Sequence, residues 1–547
     1  MIEIFNRLKS KPNLFAQILI ASLFVNLFAL ATPIYVIQVL QRYVAYGVTS
    51  TLITLVVGII FISIFEFFFR NIRHRMTREI EEENITLADR VLKKLIILKT
   101  SIYSLRNQFN SEAISGHVLT VQNIMTATTT LVLIDVPFVS IFLIALYLIH
   151  YQLGIIATII IIIPFIISRF YSSGINQKSF DWYLNSMNIS KLYDNSTARY
   201  VTIRYFNLID ALKKSWSRTL NNTVDVKDKL EAEKNLLTSL MSSTSTFMTI
   251  VIIGWGAVLA VNGDISVGAL IGANILASRA IAPIIKYVQS LEPLSKSDKS
   301  LQELNKLFTL PHELQSGTEI KDFEGRISLN NLQFRYPTSK NPIFEKLSIS
   351  ILPSQLTIIK GANGAGKSTL INVLTGIIDY EKGQLFFDDI EISQLSLPWL
   401  RKNLTYLPQE PKFIDGTLLD NIIGAREISK NDFQKVIQRI GLEDLINSDP
   451  NGVNLVLSNK GENLPVGIRK RIALGRALFI GGKLVIMDEP TEGLDEAGRN
   501  SVYQVINELV EDNKTVIVAT QDEELMSKAK NIIDLDKKPV PEIQSIN

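Results

Sequence analysis

The chain has 547 residues, 47% of them hydrophobic and 20% charged, and its 56 basic and 53 acidic side chains leave a net charge of +3. So balanced a charge gives no support for a protein whose main task is wrapping nucleic acid, and the composition excludes disordered and fibrous classes. With no cysteine, disulfides, thiolate metal sites and cysteine nucleophiles are out, and four histidines leave little for a histidine-rich metal cluster.

Apolar sequence is concentrated in the first 290 residues. A bilayer core takes about 20 mostly apolar residues in helical form. Six runs qualify: 14–36, 51–70, 128–149, 153–172, 240–262 and 266–288. The fourth holds Ile155-Ile156-Ala157-Thr158-Ile159-Ile160-Ile161-Ile162-Ile163, which has no polar face, so lipid or protein must surround it. Glu66, Asp135 and Arg279 are ionisable exceptions, expected either to face the bundle interior or to reach headgroups from near helix ends. Ala29-Leu30-Ala31 imitates a signal-peptide cleavage site, but Pro33 and more apolar sequence follow at once.

Cations near the helix ends give the orientation. Arg7, Lys9 and Lys11 precede the first run, Arg70, Arg73, Arg75 and Arg78 follow the second, and Arg169 and Lys178 lie around the end of the fourth. The connections expected outside are short and poor in cations, with only Arg42 in the first and none in His150-Tyr151-Gln152 or Asn262-Gly263-Asp264. Both termini are therefore expected in the cytoplasm, on a multi-pass membrane protein. The connections 71–127 and 173–239 are too long for structureless loops, so the membrane helices are expected to continue through them beyond the bilayer.

Sequence from Leu291 to Gly325 turns polar and reads as a linker; strand-like alternation starts at Arg326. The expected organisation is an all-α six-helix transmembrane domain over 1–290 with long cytoplasmic extensions, a linker over 291–325, and an α/β P-loop NTPase domain over 326–547. The decisive stretch is Gly361-Ala362-Asn363-Gly364-Ala365-Gly366-Lys367-Ser368-Thr369, between the strand pattern of Leu356–Lys360 and the helical Leu370–Leu374. Its glycines let backbone N–H groups wrap phosphates, and the helix N-terminus favours their charge. Lys367 is expected to reach the β- and γ-phosphates of ATP, and Ser368 to hold Mg²⁺. Downstream, the apolar Leu484–Met487 delivers Asp488 and Glu489. Asp488 suits the Mg²⁺ shell, and Glu489 suits polarisation of the attacking water.

With these motifs the chain resembles ABC transporters over essentially its whole length. The resemblance implies that Tyr336 stacks on adenine. It implies that Gln409, in Tyr406-Leu407-Pro408-Gln409-Glu410, is the Q-loop glutamine beside Mg²⁺, and that Leu494-Asp495 is the D-loop. One six-span half fused to one ATPase domain implies a half-exporter that works as a dimer. Ala31-Thr32-Pro33-Ile34-Tyr35-Val36-Ile37-Gln38-Val39 and Asp135-Val136-Pro137-Phe138 resemble bacterial type I secretion permease/ATPases. That narrower resemblance implies an unfolded polypeptide cargo with a C-terminal signal, a periplasmic membrane-fusion protein and an outer-membrane channel.

Two family positions depart from the pattern. Where the signature normally reads Leu-Ser-Gly-Gly-Gln and contacts the γ-phosphate across the dimer, this chain reads Leu464-Pro465-Val466-Gly467-Ile468, and only Gly467 survives. Thr520-Gln521-Asp522 replaces the switch histidine; Gln521 can donate to phosphate but cannot carry an imidazolium charge. Retention of Glu489 beside a lost signature favours a heterodimer, whose partner supplies an intact signature, over a slow homodimer. Two alternatives stand beside protein export: half of a heterodimeric exporter of a lipid, drug or small metabolite, and a poorly hydrolysing regulatory subunit.

Overall fold

Each apolar run lies on a long helix. The computed structural model describes residues 2–99, 111–337, 339–424, 426, 428–458, 461 and 464–546. Among these residues, six helices are long and apolar enough to cross a membrane: Pro12–Val44, Thr49–Ile96, Ala127–Ile149, Tyr151–Ser168, Ile209–Val261 and Val267–Thr309. The fourth continues to Ala198. Helices therefore do extend through the long connections, with a further helix at Ser111–Ile124; residues 100–110 of the first connection lie outside the described set.

The chain divides into two units, residues 1–96 with 105–310 and residues 97–104 with 311–547. The core of the first is built around Val267–Thr309, whose small residues allow close approach. A Cβ on Gly272 would collide with Ile37, and one on Gly268 would lie 3.0 Å from the Ile37 carbonyl oxygen. Ala273, Ala277 and Ala280 are buried with Leu146, Leu153 and Ile252 in the same cluster. The Thr49–Ile96 helix instead presents Ile60, Phe61, Ile64 and Phe68 outward, as a lipid-facing surface does.

Asp135, Glu66 and Arg279 each have a partner. Arg73 Nη1 meets Asp135 Oδ1 at 2.6 Å, Glu66 pairs with Arg70 one turn on, and Arg279 Nη2 donates to Thr32 Oγ1 at 3.4 Å.

The stretch read as a linker divides in two. Residues 291–309 finish the Val267–Thr309 helix, because the polar sequence hides a buried stripe of Leu294, Ser297, Ser300, Leu304 and Leu307 at helical spacing. Residues from Pro311 belong to the second unit, where buried Glu313 takes a two-pronged bond from Arg401 at 2.7 and 2.8 Å.

The second unit contains two main sheets. Strands β1 (Ile327–Phe334), β2 (Phe344–Ile351), β4 (Lys382–Phe387) and β5 (Ile390–Glu391) form an antiparallel sheet in the order β2-β1-β4-β5. The larger sheet uses β3 (Leu356–Lys360), β6 (Leu404–Leu407), β9 (Leu484–Asp488), β10 (Thr515–Ala519), β11 (Asn531–Asp534) and β12 (Glu542–Ser545), in the order β12-β11-β3-β10-β9-β6. All but β12 are parallel neighbours, and β9 and β10 are buried along their whole length, as strands covered on both faces must be. Two strands of two residues each, β7 (Gly416–Thr417) and β8 (Val456–Leu457), pair separately.

The Arg73–Asp135 pair offers a test of the first unit. Asp135→Ala should strand a guanidinium whose side chain is 9% exposed and cost roughly 3 kcal/mol. Arg73→Leu with Asp135→Leu should recover most of that loss, measured by thermal unfolding in detergent. Equal loss in the single and double variants would contradict the pairing.

Candidate active site

The register of three strands builds the site. Ile359 of β3 lies opposite Ala519 of β10, and Ala519 lies opposite Asp488 of β9. The chain therefore leaves all three strands at one carboxyl edge, the place where open α/β sheets bind ligands. From β3 it enters Gly361–Gly366 and then the helix Lys367–Leu374, which Leu370, Ile371, Val373 and Leu374 anchor by burial. Gly366 has φ +112°, and a Cβ there would strike Ile343, so only glycine permits this turn into the helix.

A cleft of about 400 Å³ opens over this edge. It is lined by Tyr336, Ile343, Ala362, Asn363, Gly364, Gly366, Lys367, Ser368, Thr369, Gln409, Asp488 and Glu489. Thus most of the residues singled out from sequence converge, from four separate segments. The Tyr336 ring stands edge-on to Phe334, 4.9 Å away, and its hydroxyl lies 2.9 Å from Thr369 Oγ1. Buried Lys367 sends Nζ to Glu489 Oε1 at 2.9 Å and to the Gly361 carbonyl at 2.7 Å.

Glu489 adopts φ +44°, a left-handed conformation costly for a side-chain-bearing residue. The surroundings hold it there. Its N–H donates to the Ala519 carbonyl at 2.9 Å, and its carbonyl accepts from Lys470 Nζ at 2.8 Å. Lys470 also donates to the Glu492 carbonyl at 2.5 Å. Burial lowers the Lys470 pKa, against the opposing pull of Glu492, Glu489 and Asp488.

Asp488 is buried, and burial pushes its carboxyl upward; the Ser368 hydrogen bond and Lys367 pull it down, while Glu489 and Glu492 push it further up. Its Oδ1 is buried without a hydrogen-bond partner. An orphaned carboxylate oxygen beside a serine hydroxyl and a glutamine amide is a donor set that suits a hard divalent cation. Among the described residues no three acidic or histidine side chains cluster to hold a metal by themselves.

Five of the expected site residues, Gly361, Ala365, Gly467, Asp495 and Gln521, lie outside the cleft lining. Gly467 sits in the first turn of the helix Val466–Ile480. Its neighbour Pro465, just before that helix, offers no side-chain cap. Asp495 caps the helix Glu496–Glu511 by accepting from the Gly498 N–H at 2.9 Å. Gln521 reaches the loop from behind, with Nε2 donating to the Gly361 carbonyl at 3.0 Å. Ala365 is buried beneath the loop, where a Cβ on Gly361 would come within 2.8 Å of its own.

The sequence reading passed over Glu492, which accepts from Gln409 Nε2 at 3.0 Å, and Lys470, which pins the chain around Glu489. Both lie within motif stretches, but only tertiary contacts reveal their work.

A carboxyl whose folded pKa lies above its unfolded value penalises the folded state when ionised. The penalty is fully present above the folded pKa and is relieved as pH falls through it. Asp488→Asn should therefore raise the thermal midpoint of nucleotide-free protein at neutral pH, with the gain shrinking on acidification. A lowered midpoint would contradict a buried, under-partnered carboxylate.

The family model described as ABC transporter matches residues 344–492. The alpha-hemolysin translocation ATP-binding protein of Escherichia coli O157:H7 is 25% identical over 95% of this chain and 74% of its own length. The leukotoxin export ATP-binding protein of Aggregatibacter actinomycetemcomitans is 25% identical over 97% of this chain and 75% of its own. A solved bacterial Atm1-family ABC exporter with ATP bound has the same fold, with a TM-score of 0.84 at 17% identity over 98% of this chain and 95% of that one.

Proposed function

We propose, for a chain that is an ABC transporter half with its membrane domain fused to an ATP-hydrolysing domain, that it exports a polypeptide across the inner membrane in a type I secretion system. The single observation behind the ATP chemistry is the convergence of Lys367, Asp488 and Glu489 on one cleft with the loop's N–H groups. The cargo assignment draws on the translocation and export relatives, which align over almost all of this chain.

In this reading Lys367 exchanges its contacts with Glu489 and Gly361 for the β- and γ-phosphates, and the orphan N–H groups at the start of Lys367–Leu374 cradle the phosphate oxygens. Tyr336 stacks on adenine. Asp488, Ser368 and Gln409 would hold Mg²⁺, which neutralises phosphate charge when bound. Glu489, released from Lys367, orients the attacking water and takes its proton.

Gly467 and Asp495 serve the contact with a second half-transporter. Pro465 and Val466 supply neither the hydroxyl nor the close backbone approach of an intact signature. A heterodimer answers this best, since Glu489 is retained and needs a partner's signature. Both termini face the cytoplasm, and a periplasmic membrane-fusion protein and an outer-membrane channel complete the export path.

Glu489→Gln should preserve ATP binding and abolish turnover in the reconstituted transporter; turnover within about twofold of wild type would remove Glu489 from the chemistry. The dimer reading is tested by Pro465→Ser with Val466→Gly. In a homodimer the restored hydrogen bonds should raise ATP turnover about tenfold. Beside a partner whose own catalytic base is defective, the repair should leave turnover nearly unchanged. A tenfold gain for the chain alone overturns the heterodimer. Transport is read as ATP-dependent movement of an unfolded polypeptide carrying a C-terminal signal. Export of small amphiphiles alone would sink the cargo assignment.

A further inference from the structure

The peptide unit that joins Gly361 to Ala362 opens the phosphate-binding loop, and it is held from both sides. Its carbonyl belongs to buried Gly361 and accepts from Lys367 Nζ at 2.7 Å and from Gln521 Nε2 at 3.0 Å. Its N–H belongs to Ala362 and donates to Asp536 Oδ1 at 2.8 Å. The partners come from three places: the loop's own helix, the chain leaving β10, and the turn after β11.

A carboxylate on an anion-binding loop calls for an explanation, because it occupies an N–H that phosphate could use. Asp536 is exposed, so it adds little to the core. It is nonetheless fixed: its own N–H donates to Asp534 Oδ1 at 2.9 Å, and the Leu535 N–H before it donates to the Lys360 carbonyl at 2.9 Å. The alternative orientation of this peptide would face its carbonyl oxygen with the Asp536 carboxylate and its N–H with the Lys367 ammonium and the Gln521 amide N–H, leaving both ends unpaired. A charge-assisted bond to the N–H opposes that flip.

We infer that Asp536 is a positioning residue for nucleotide, locking the Gly361–Ala362 peptide in the orientation that the phosphate-binding loop requires, with Gln521 holding the carbonyl end. This rests on the reading that Lys367 moves to phosphate. When it does, the buried Gly361 carbonyl loses one donor and would go unsatisfied without the other. Gln521 is therefore committed to the loop backbone and leaves phosphate contact to other groups. Asp536 keeps its bond throughout.

The test uses the detergent-solubilised full chain for binding, read by fluorescence of a methylanthraniloyl-ADP probe, and the reconstituted transporter for KM and kcat, read by phosphate release. Asp536→Ala should weaken probe binding and raise KM by roughly five- to tenfold with kcat within about twofold, as loss of one solvent-exposed hydrogen bond implies. Asp536→Asn keeps an acceptor oxygen and should stay within about twofold of wild type. Asp536→Ala combined with Gln521→Ala should lose less than the product of the single losses, because both act on one peptide unit. The clamp is overturned if Asp536→Ala binds probe like wild type, if Asp536→Asn loses as much as Asp536→Ala, or if kcat falls with KM unchanged. Lys367→Ala separates the two readings. If it weakens probe binding while Asp536→Ala does not, the clamp alone fails; if probe binding ignores Lys367→Ala, the nucleotide site itself is misassigned. An unchanged thermal midpoint of Asp536→Ala without nucleotide is expected, and a lowered midpoint with intact probe binding counts against the clamp.

Discussion

Ile359, Ala519 and Asp488 sit side by side across β3, β10 and β9, and the alignment fixes where three loops begin. Parallel strands buried on both faces cannot slip without carrying apolar side chains out of their layers. The phosphate-binding loop, Gln521 and Glu489 are therefore delivered to one edge by packing several residues away. Apolar clusters lie on both faces of that sheet, with Ile486 and Ile517 on one side and Val485 and Val518 on the other. The chemistry is polar, yet its geometry is paid for by the hydrophobic effect.

At that edge the protein accumulates features that are unfavourable without a ligand. Glu489 is held at φ +44°, Asp488 Oδ1 is buried and unpartnered, and Lys367 is buried against Glu489. Each is costly in isolation, and in the proposed function each is relieved or used when phosphate and a cation arrive. Lys470 matters here because its ammonium bonds two backbone carbonyls, those of Glu489 and Glu492, and so keeps the strained turn from relaxing. Rigid strands below and a braced turn above amount to preorganisation, which lets binding proceed with little rearrangement.

Much of this is legible in the amino-acid sequence alone. Helical spans are announced by long apolar runs, and the loop from Gly361 to Thr369 is announced by glycines between a strand and a helix. The Asp488-Glu489 pair is legible because an apolar strand precedes it. Other features depend on three-dimensional neighbours and leave no local trace. The stretch 291–309 looks polar, and only burial of Leu294, Leu304 and Leu307 exposes it as the end of a helix. Glu492 lies 83 residues from its partner Gln409, and Asp536 lies 174 residues from Ala362. No periodicity or motif spacing reports such pairs. Arg73 and Asp135 were each visible as charges, but their bond, 62 residues apart in sequence, was not.

In the proposed function, export depends on nucleotide and cation meeting between the loop after β3 and the carboxylates after β9. It can be measured directly by substituting Mn²⁺ for Mg²⁺ and recording phosphorus-31 electron–nuclear double resonance with ATP on the full chain. A shared site predicts phosphorus couplings to protein-bound Mn²⁺ that disappear when Asp488 and Lys367 are both replaced by alanine. Undiminished couplings from bound Mn²⁺–ATP in that double variant would contradict it.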